Sequence, residues 1–99
     1  IQIPFEQPNI KHVYYMYEVR VNDRDKLMEF LKENEISCGI HYPLPLHLQQ
    51  SLKFLGYKEG DFPITEQAAK EILSLPMYPE LTEEQIKYIA DKIKKFYLK

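Results

Sequence analysis

From His12 to Val21 the sequence alternates strictly. Val13, Tyr15, Tyr17, Val19 and Val21 fall on one side, and His12, Tyr14, Met16, Glu18 and Arg20 on the other. A period of two in β-branched and aromatic residues is the pattern of a pleated strand, so a strand is expected over Val13–Val21. Tyr14 and Met16 make the second face partly apolar, which suits a strand covered on both sides.

The pattern then changes period. Asn22 or Asp23 is placed to cap a helix running to about Asn34, with Leu27, Phe30, Leu31 and Asn34 at helical spacing. Ser37–Ile40 is a short apolar segment around Gly39, read as a second strand. Leu48, Leu52 and Leu55 mark a short helix stopped by Gly56. Pro63 suits the first turn of a third helix, with Ile64, Ala68 and Ile72 on one stripe. Leu73–Leu75, closed by Pro76, is the third strand candidate. The final helix has the clearest signals. Thr82 and Gln85 have capping-box spacing, and Leu81 and Ile86 sit at the hydrophobic-staple positions. Ile86, Ile89, Ala90, Ile93, Phe96 and Tyr97 form its apolar stripe. The expected fold is therefore α+β, with a small three-stranded, mainly antiparallel sheet and about four helices packed on one side. Residues 1–11, with Pro4 and Pro8 and no period, read as an extended linker, leaving 12–99 as one domain.

The 99 residues are enough for one compact domain, 44 % of them hydrophobic and 28 % charged. A formal charge of -2 provides no basic surface for a phosphate backbone, which argues against nucleic-acid binding. No apolar run approaches the roughly 20 residues needed to cross a bilayer, and no signal peptide is visible, so no membrane role is expected. Cys38 is the single cysteine. It cannot pair internally, which fits a reducing, cytoplasmic setting. The first residue is Ile1 rather than Met, and a longer parent chain is expected.

Chemistry is concentrated in one stretch, His41-Tyr42-Pro43-Leu44-Pro45-Leu46-His47. Two prolines pre-set an extended backbone and lower the entropy lost on ordering it. Imidazole and phenol suit hydrogen bonds to phosphate or sugar hydroxyls. The plainer reading is a rigid connection whose Tyr42, Leu44 and Leu46 plug a core edge. A metal site at His41 and His47 would need a third ligand that the sequence does not supply. Cys38, in an apolar segment, reads as a buried inert thiol. None of the eleven lysines lies in a glycine- or serine-rich phosphate-cradling context, and those on helices occupy polar faces. The residues alone therefore describe an α+β domain with a proline-held His/Tyr loop and leave the reaction open.

Three motifs go further. Gly39-Ile40-His41-Tyr42-Pro43-Leu44-Pro45-Leu46-His47-Leu48-Gln49, then Leu55-Gly56-Tyr57-Lys58-Glu59-Gly60-Asp61-Phe62-Pro63 followed by Glu66, then Leu73-Ser74-Leu75-Pro76-Met77-Tyr78-Pro79-Glu80-Leu81-Thr82, occur in this order. Together they resemble the C-terminal region of the DegT/DnrJ/EryC1/StrS family of sugar aminotransferases. The resemblance runs from about Ile10 to the end of the chain.

The resemblance implies a small C-terminal domain of a fold-type-I enzyme that uses pyridoxal phosphate. In such enzymes a large N-terminal domain holds the cofactor on a lysine, and the small domain covers the site. The implied reaction moves an amino group, usually from glutamate, onto a nucleotide-linked keto-sugar, in a homodimer. His41 and Tyr42 match the family's substrate-contacting His-Tyr pair. No catalytic, cofactor-binding or metal-binding residue is carried over, so the isolated chain is expected to bind no pyridoxal phosphate and to be inactive. The alternatives are a stand-alone small-molecule-binding module and a dimerisation domain.

Overall fold

The computed structural model describes all 99 residues. It contains β1 (Tyr17–Arg20), α1 (Arg24–Glu33), α2 (Pro63–Glu71), β2 (Ile72–Leu75) and α3 (Glu83–Tyr97). Two 3-10 helices, Leu46–Leu48 and Gln50–Leu55, lie between α1 and α2. The fold is α+β, as the residue pattern indicates, but its sheet has two strands rather than three. β1 and β2 run antiparallel, with Glu18 opposite Ser74 and Val19 opposite Leu73.

The expected strand at Ser37–Ile40 shrinks to one antiparallel bridge, Gly39 to Ser74 on the free edge of β2. Its position is the expected one, but the chain departs at His41 before a second pair can form. Gln2 makes a matching single bridge to Arg20 on the free edge of β1. The first strand is also shorter than the alternation predicts. Tyr14 adopts φ 47°, and its N–H donates to the His12 ring at 2.8 Å. That local bond takes the backbone out of the extended region. Val13 and Tyr15 are consequently 86 % and 84 % exposed, while Val19 and Val21, on the same predicted face, are buried.

The core lies between the sheet and the helix pair α1 and α3. Val19, Leu27, Leu31 and Leu73 are at most 1 % exposed, with Val21, Ile36 and Ile93 beside them. Two tyrosines of α3 hold the ends of α1: Tyr97 donates to the Asn22 carbonyl at 2.6 Å and Tyr88 to the Asn34 carbonyl at 3.2 Å. Phe30 and Phe96 meet between them with ring centres 5.6 Å apart. Asp23 is the N-cap of α1, and the capping box of α3 is complete, Thr82 Oγ1 accepting from Gln85 N–H and Gln85 Oε1 from Thr82 N–H. Arg24 donates to the carbonyls of Ala69 and Ile72 at 3.1 Å each. This joins the start of α1 to the end of α2 and satisfies carbonyls that a helix end leaves open.

Two helical readings need correction. The Leu48/Leu52/Leu55 segment is two 3-10 helices broken at Gln49, whose ψ of 137° is extended. It still ends at Gly56, with φ 78°. The α2 stripe is not Ile64, Ala68 and Ile72: Ile64 is 82 % exposed, Ile72 belongs to β2, and the helix buries Glu66 and Ala69 instead. The Glu66 carboxylate is turned inward by the turn before the helix.

The molecule measures 48 × 37 × 22 Å, and its radius of gyration is 15.7 Å, where a compact chain of this length would have about 13 Å. It exposes 7968 Å², about a third more than the ~5,900 Å² expected of a compact monomer of its mass.

Candidate functional site

The His41–His47 loop starts where the chain leaves the edge of β2. Gly39 and Ser74 exchange both backbone hydrogen bonds, at 3.1 and 2.8 Å. Two residues later the His41 ring folds back over Gly39, so closely that a Cβ there would lie 2.8 Å from His41 Cε1. Only glycine leaves room for the ring in this position. His41 Nδ1 then sits 2.8 Å from Ser74 Oγ, and Ser74 Oγ donates to Glu18 Oε1 at 3.0 Å. Three residues distant in sequence thus form one hydrogen-bonded chain from β1 across β2 to the loop. Ser74 is buried, whereas His41 is exposed at the surface end. The Tyr42 ring stands edge-on to His41, 5.5 Å between centres, and is 69 % exposed.

His41 and Ser74 line an open cavity of about 330 Å³ together with Tyr15, Met16, Cys38 and Met77. Its polar wall is the His41–Ser74 pair and its remaining wall is mostly apolar, an arrangement suited to holding and orienting a small polar ligand. Burial pushes the Cys38 thiol up to about 11. The thiol therefore stays protonated and unreactive at neutral pH.

His47 is not part of this cavity. It is buried beside Glu66, Nε2 to Oε1 3.7 Å, with the Phe62 ring edge-on at 4.8 Å. Glu66 accepts from the N–H groups of Gly60 at 2.7 Å and Phe62 at 3.2 Å. The motif Gly60-Asp61-Phe62-Pro63 followed by Glu66 is thus a turn stitched to the first turn of α2, and His47 packs against the stitch. The two histidines lie apart, His41 bonded to Ser74 and His47 Nε2 buried without a hydrogen-bond partner, and no group of three or more His, Cys, Asp or Glu side chains converges to hold a metal.

Sequence reasoning singled out His41 and Tyr42 but not Gly39, Ser74 or Glu18 as partners of His41. A usable signal existed in the alternation, which puts Glu18 on the second strand face with Tyr14 and Met16. A lone acid on a partly apolar face needs a polar partner. The register that makes Ser74 that partner depends on long-range pairing and is not written locally.

The lysines do not fit a pyridoxal cofactor. Ten are exposed, and Lys92 is half-buried over the Tyr88 ring at 5.1 Å. A lysine that carries such a cofactor needs a desolvated site, and none of the eleven lysines is buried. No helix is long and apolar enough to cross a membrane.

The profile of the DegT/DnrJ/EryC1/StrS aminotransferase family matches residues 1–94. The chain belongs to that family. A pleiotropic regulatory protein from Geobacillus stearothermophilus is 53 % identical over 94 residues, which are 95 % of this chain and 25 % of the relative. A dTDP-3-amino-3,4,6-trideoxy-alpha-D-glucose transaminase from Micromonospora megalomicea subsp. nigra is 39 % identical over 85 residues, 85 % of this chain and 23 % of the relative. Among solved structures, S. venezuelae DesV in complex with a ketimine intermediate superposes with a TM-score of 0.90 at 30 % identity, over 96 % of this chain and 26 % of that one. The chain spans about a quarter of the length of the relatives it matches.

Proposed function

We propose that this chain is the C-terminal domain, residues 12–99 with 1–11 as its linker, of a pyridoxal-phosphate-dependent aminotransferase acting on nucleotide-linked keto-sugars. Such sugars serve surface, spore-coat or antibiotic polysaccharide and glycoside synthesis, in the cytoplasm. The observation that carries the reading is the match itself: nearly the whole chain superposes on only 26 % of a solved aminotransferase. A domain cut from a larger body retains the surface that body covered. The excess of about 2,000 Å² over a compact monomer is comparable to what large, permanent interfaces bury.

In this reading the cofactor, which supplies the amino-group chemistry, is held by the large N-terminal domain. This chain covers the site in a homodimer and presents His41 and Tyr42 to the nucleotide-sugar. The His41 ring is held by Gly39 below and Ser74 beside it, so its orientation is set before the ligand arrives, which lowers the cost of binding. Tyr42, exposed next to it, adds a phenol that can donate or accept. The isolated chain has no cofactor site and no activity.

The test uses the full-length protein. His41→Ala and Tyr42→Phe are expected to lower kcat/KM for the nucleotide-sugar by about 5- to 150-fold, the effect of leaving one buried hydrogen-bonding group unpaired. The cofactor spectrum and thermal midpoint stay unchanged. Full kcat/KM combined with an early melt would return the loop to a core plug. The competing reading is a binding or dimerisation module, favoured by the regulatory name of the 53 % identical relative. A full-length protein that binds a nucleotide-sugar without transferring an amino group to it would establish that alternative.

A further inference from the structure

The hydrogen-bonded chain Glu18–Ser74–His41 specifies where the imidazole proton sits. An ionised carboxylate can only accept, and a serine hydroxyl has one proton to give. Ser74 gives that proton to Glu18 across 3.0 Å. The 2.8 Å contact between Ser74 Oγ and His41 Nδ1 is then a hydrogen bond only if Nδ1 carries the proton. A neutral imidazole has one N–H, so Nε2 is left as a bare acceptor.

We propose that Glu18 and Ser74 are positioning residues that hold neutral His41 in the Nδ1–H form, so that Nε2 accepts a hydrogen bond from a sugar hydroxyl. The support is rigid on both sides. Ser74 is fixed by its paired backbone bonds to Gly39, and Glu18 stands directly opposite it in the sheet register. The ring lies over Gly39, whose missing Cβ would meet Cε1 at 2.8 Å. A bare Nε2 also selects its ligand, because it attracts a hydroxyl donor and repels a phosphate oxygen. The choice of a sugar hydroxyl rests on the function proposed above; the position of the proton does not.

The arrangement makes the two supports respond differently to substitution. Glu18→Gln keeps an acceptor oxygen and leaves the ring as it is. Glu18→Leu removes the acceptor, which releases the Ser74 proton to donate to Nδ1 and moves the histidine proton to Nε2. Ser74→Ala, nearly the same size, leaves Nδ1 without a partner and both forms populated.

The experiment is 15N NMR of the full-length protein labelled at histidine nitrogens, with His41 assigned by its loss in His41→Gln. Wild type and Glu18→Gln are expected to show a protonated Nδ1 and a bare Nε2, and Glu18→Leu the reverse. The KM for the nucleotide-sugar is expected to rise about 2- to 10-fold in Glu18→Leu and Ser74→Ala, the worth of one neutral hydrogen bond. The thermal midpoint of Glu18→Gln stays unchanged. A wild-type ring protonated at Nε2, or a proton position indifferent to Glu18→Leu and Ser74→Ala, overturns the proposal. The expected proton positions together with an unchanged KM in His41→Gln would instead overturn the sugar-contact reading, and with it the ligand half of this inference.

Discussion

The layer made by β1, β2, α1 and α3 buries Val19, Leu27, Leu31 and Leu73 to 1 % exposure or less, whereas the segment between His41 and Phe62 leaves Tyr42, Leu46 and Phe54 at 69, 71 and 80 % exposed. Both regions are rich in large apolar side chains. In the first they recur at strand and helix periods, and those of β1, β2 and α1 close on one another with Ile93, although Ile86 of α3 stays 51 % exposed. In the second they sit on two short 3-10 helices that pack mainly against each other. Glu66, buried beside His47, fastens this second region to α2 through the N–H groups of Gly60 and Phe62. Apolar residues with a period build a core within the chain. Apolar residues without one, on a segment pinned at a few points, stay exposed at the surface.

The contrast predicts opposite responses to truncation. In the 99-residue chain, Leu73→Ala is expected to cost about 2–5 kcal/mol, because a fully packed site collapses only partly around the gap. Phe54→Ala, although a larger truncation, is expected to change stability by no more than about 0.5 kcal/mol. Urea denaturation of both variants measures this directly. A large loss from Phe54→Ala would mean that the open region hides a core of its own.

Glu66→Ala tests the fastening. It strands the Gly60 and Phe62 N–H groups and removes the neighbour of His47, so a loss of about 1–3 kcal/mol is expected in the same titration. An effect near zero would separate the two regions energetically.

The smallest expected effect is a pH dependence. Hydrogen bonds from the Lys58 backbone and side chain hold the Asp61 carboxyl below its ordinary range. Those from Gln67 and Arg20 do the same for Glu71. A depressed folded-state value means that the unfolded chain takes up the proton first. These groups therefore contribute stability that is fully present above the ordinary values of 3.8 and 4.5 and is lost as pH falls from there through the lower folded-state values. Asp61→Asn and Glu71→Gln should each flatten the acid limb of the thermal midpoint against pH slightly. Asp61 lies in the open segment and Glu71 at the end of α2, bonded to Arg20 of β1, so unequal flattening would tell which of the two places opens first in acid.

The packed region was largely legible in the sequence. The Thr82/Gln85 box and the placement of Leu73–Leu75 in the sheet follow from local patterns and appear in the structure, as does the Gly56 stop in the open segment, while Asp23 occupies the N-cap position of α1 without a side-chain capping bond. The misreadings share one physical cause, a local or polar bond that outweighs the apolar period. Tyr14 leaves the strand for a bond to His12, and α2 turns Glu66 inward in place of Ile64. At the candidate site the sequence indicated His41 and Tyr42 through their proline frame. It did not indicate Glu18 and Ser74, because their contact is made by strand register across 56 residues.

The most direct test of the account compares hydrogen exchange in the 99-residue chain and in the full-length protein, the latter with and without a nucleotide-sugar. Core amides such as those of Leu31 and Leu73 should be protected alike in every sample. Amides from His41 to Phe62 should exchange fast in the isolated chain, slow down in the full-length protein, and slow further around His41 and Tyr42 when the nucleotide-sugar is added. Equal protection of His41–Phe62 in all three samples would contradict the claim that this region is a surface built for the rest of the enzyme and its substrate.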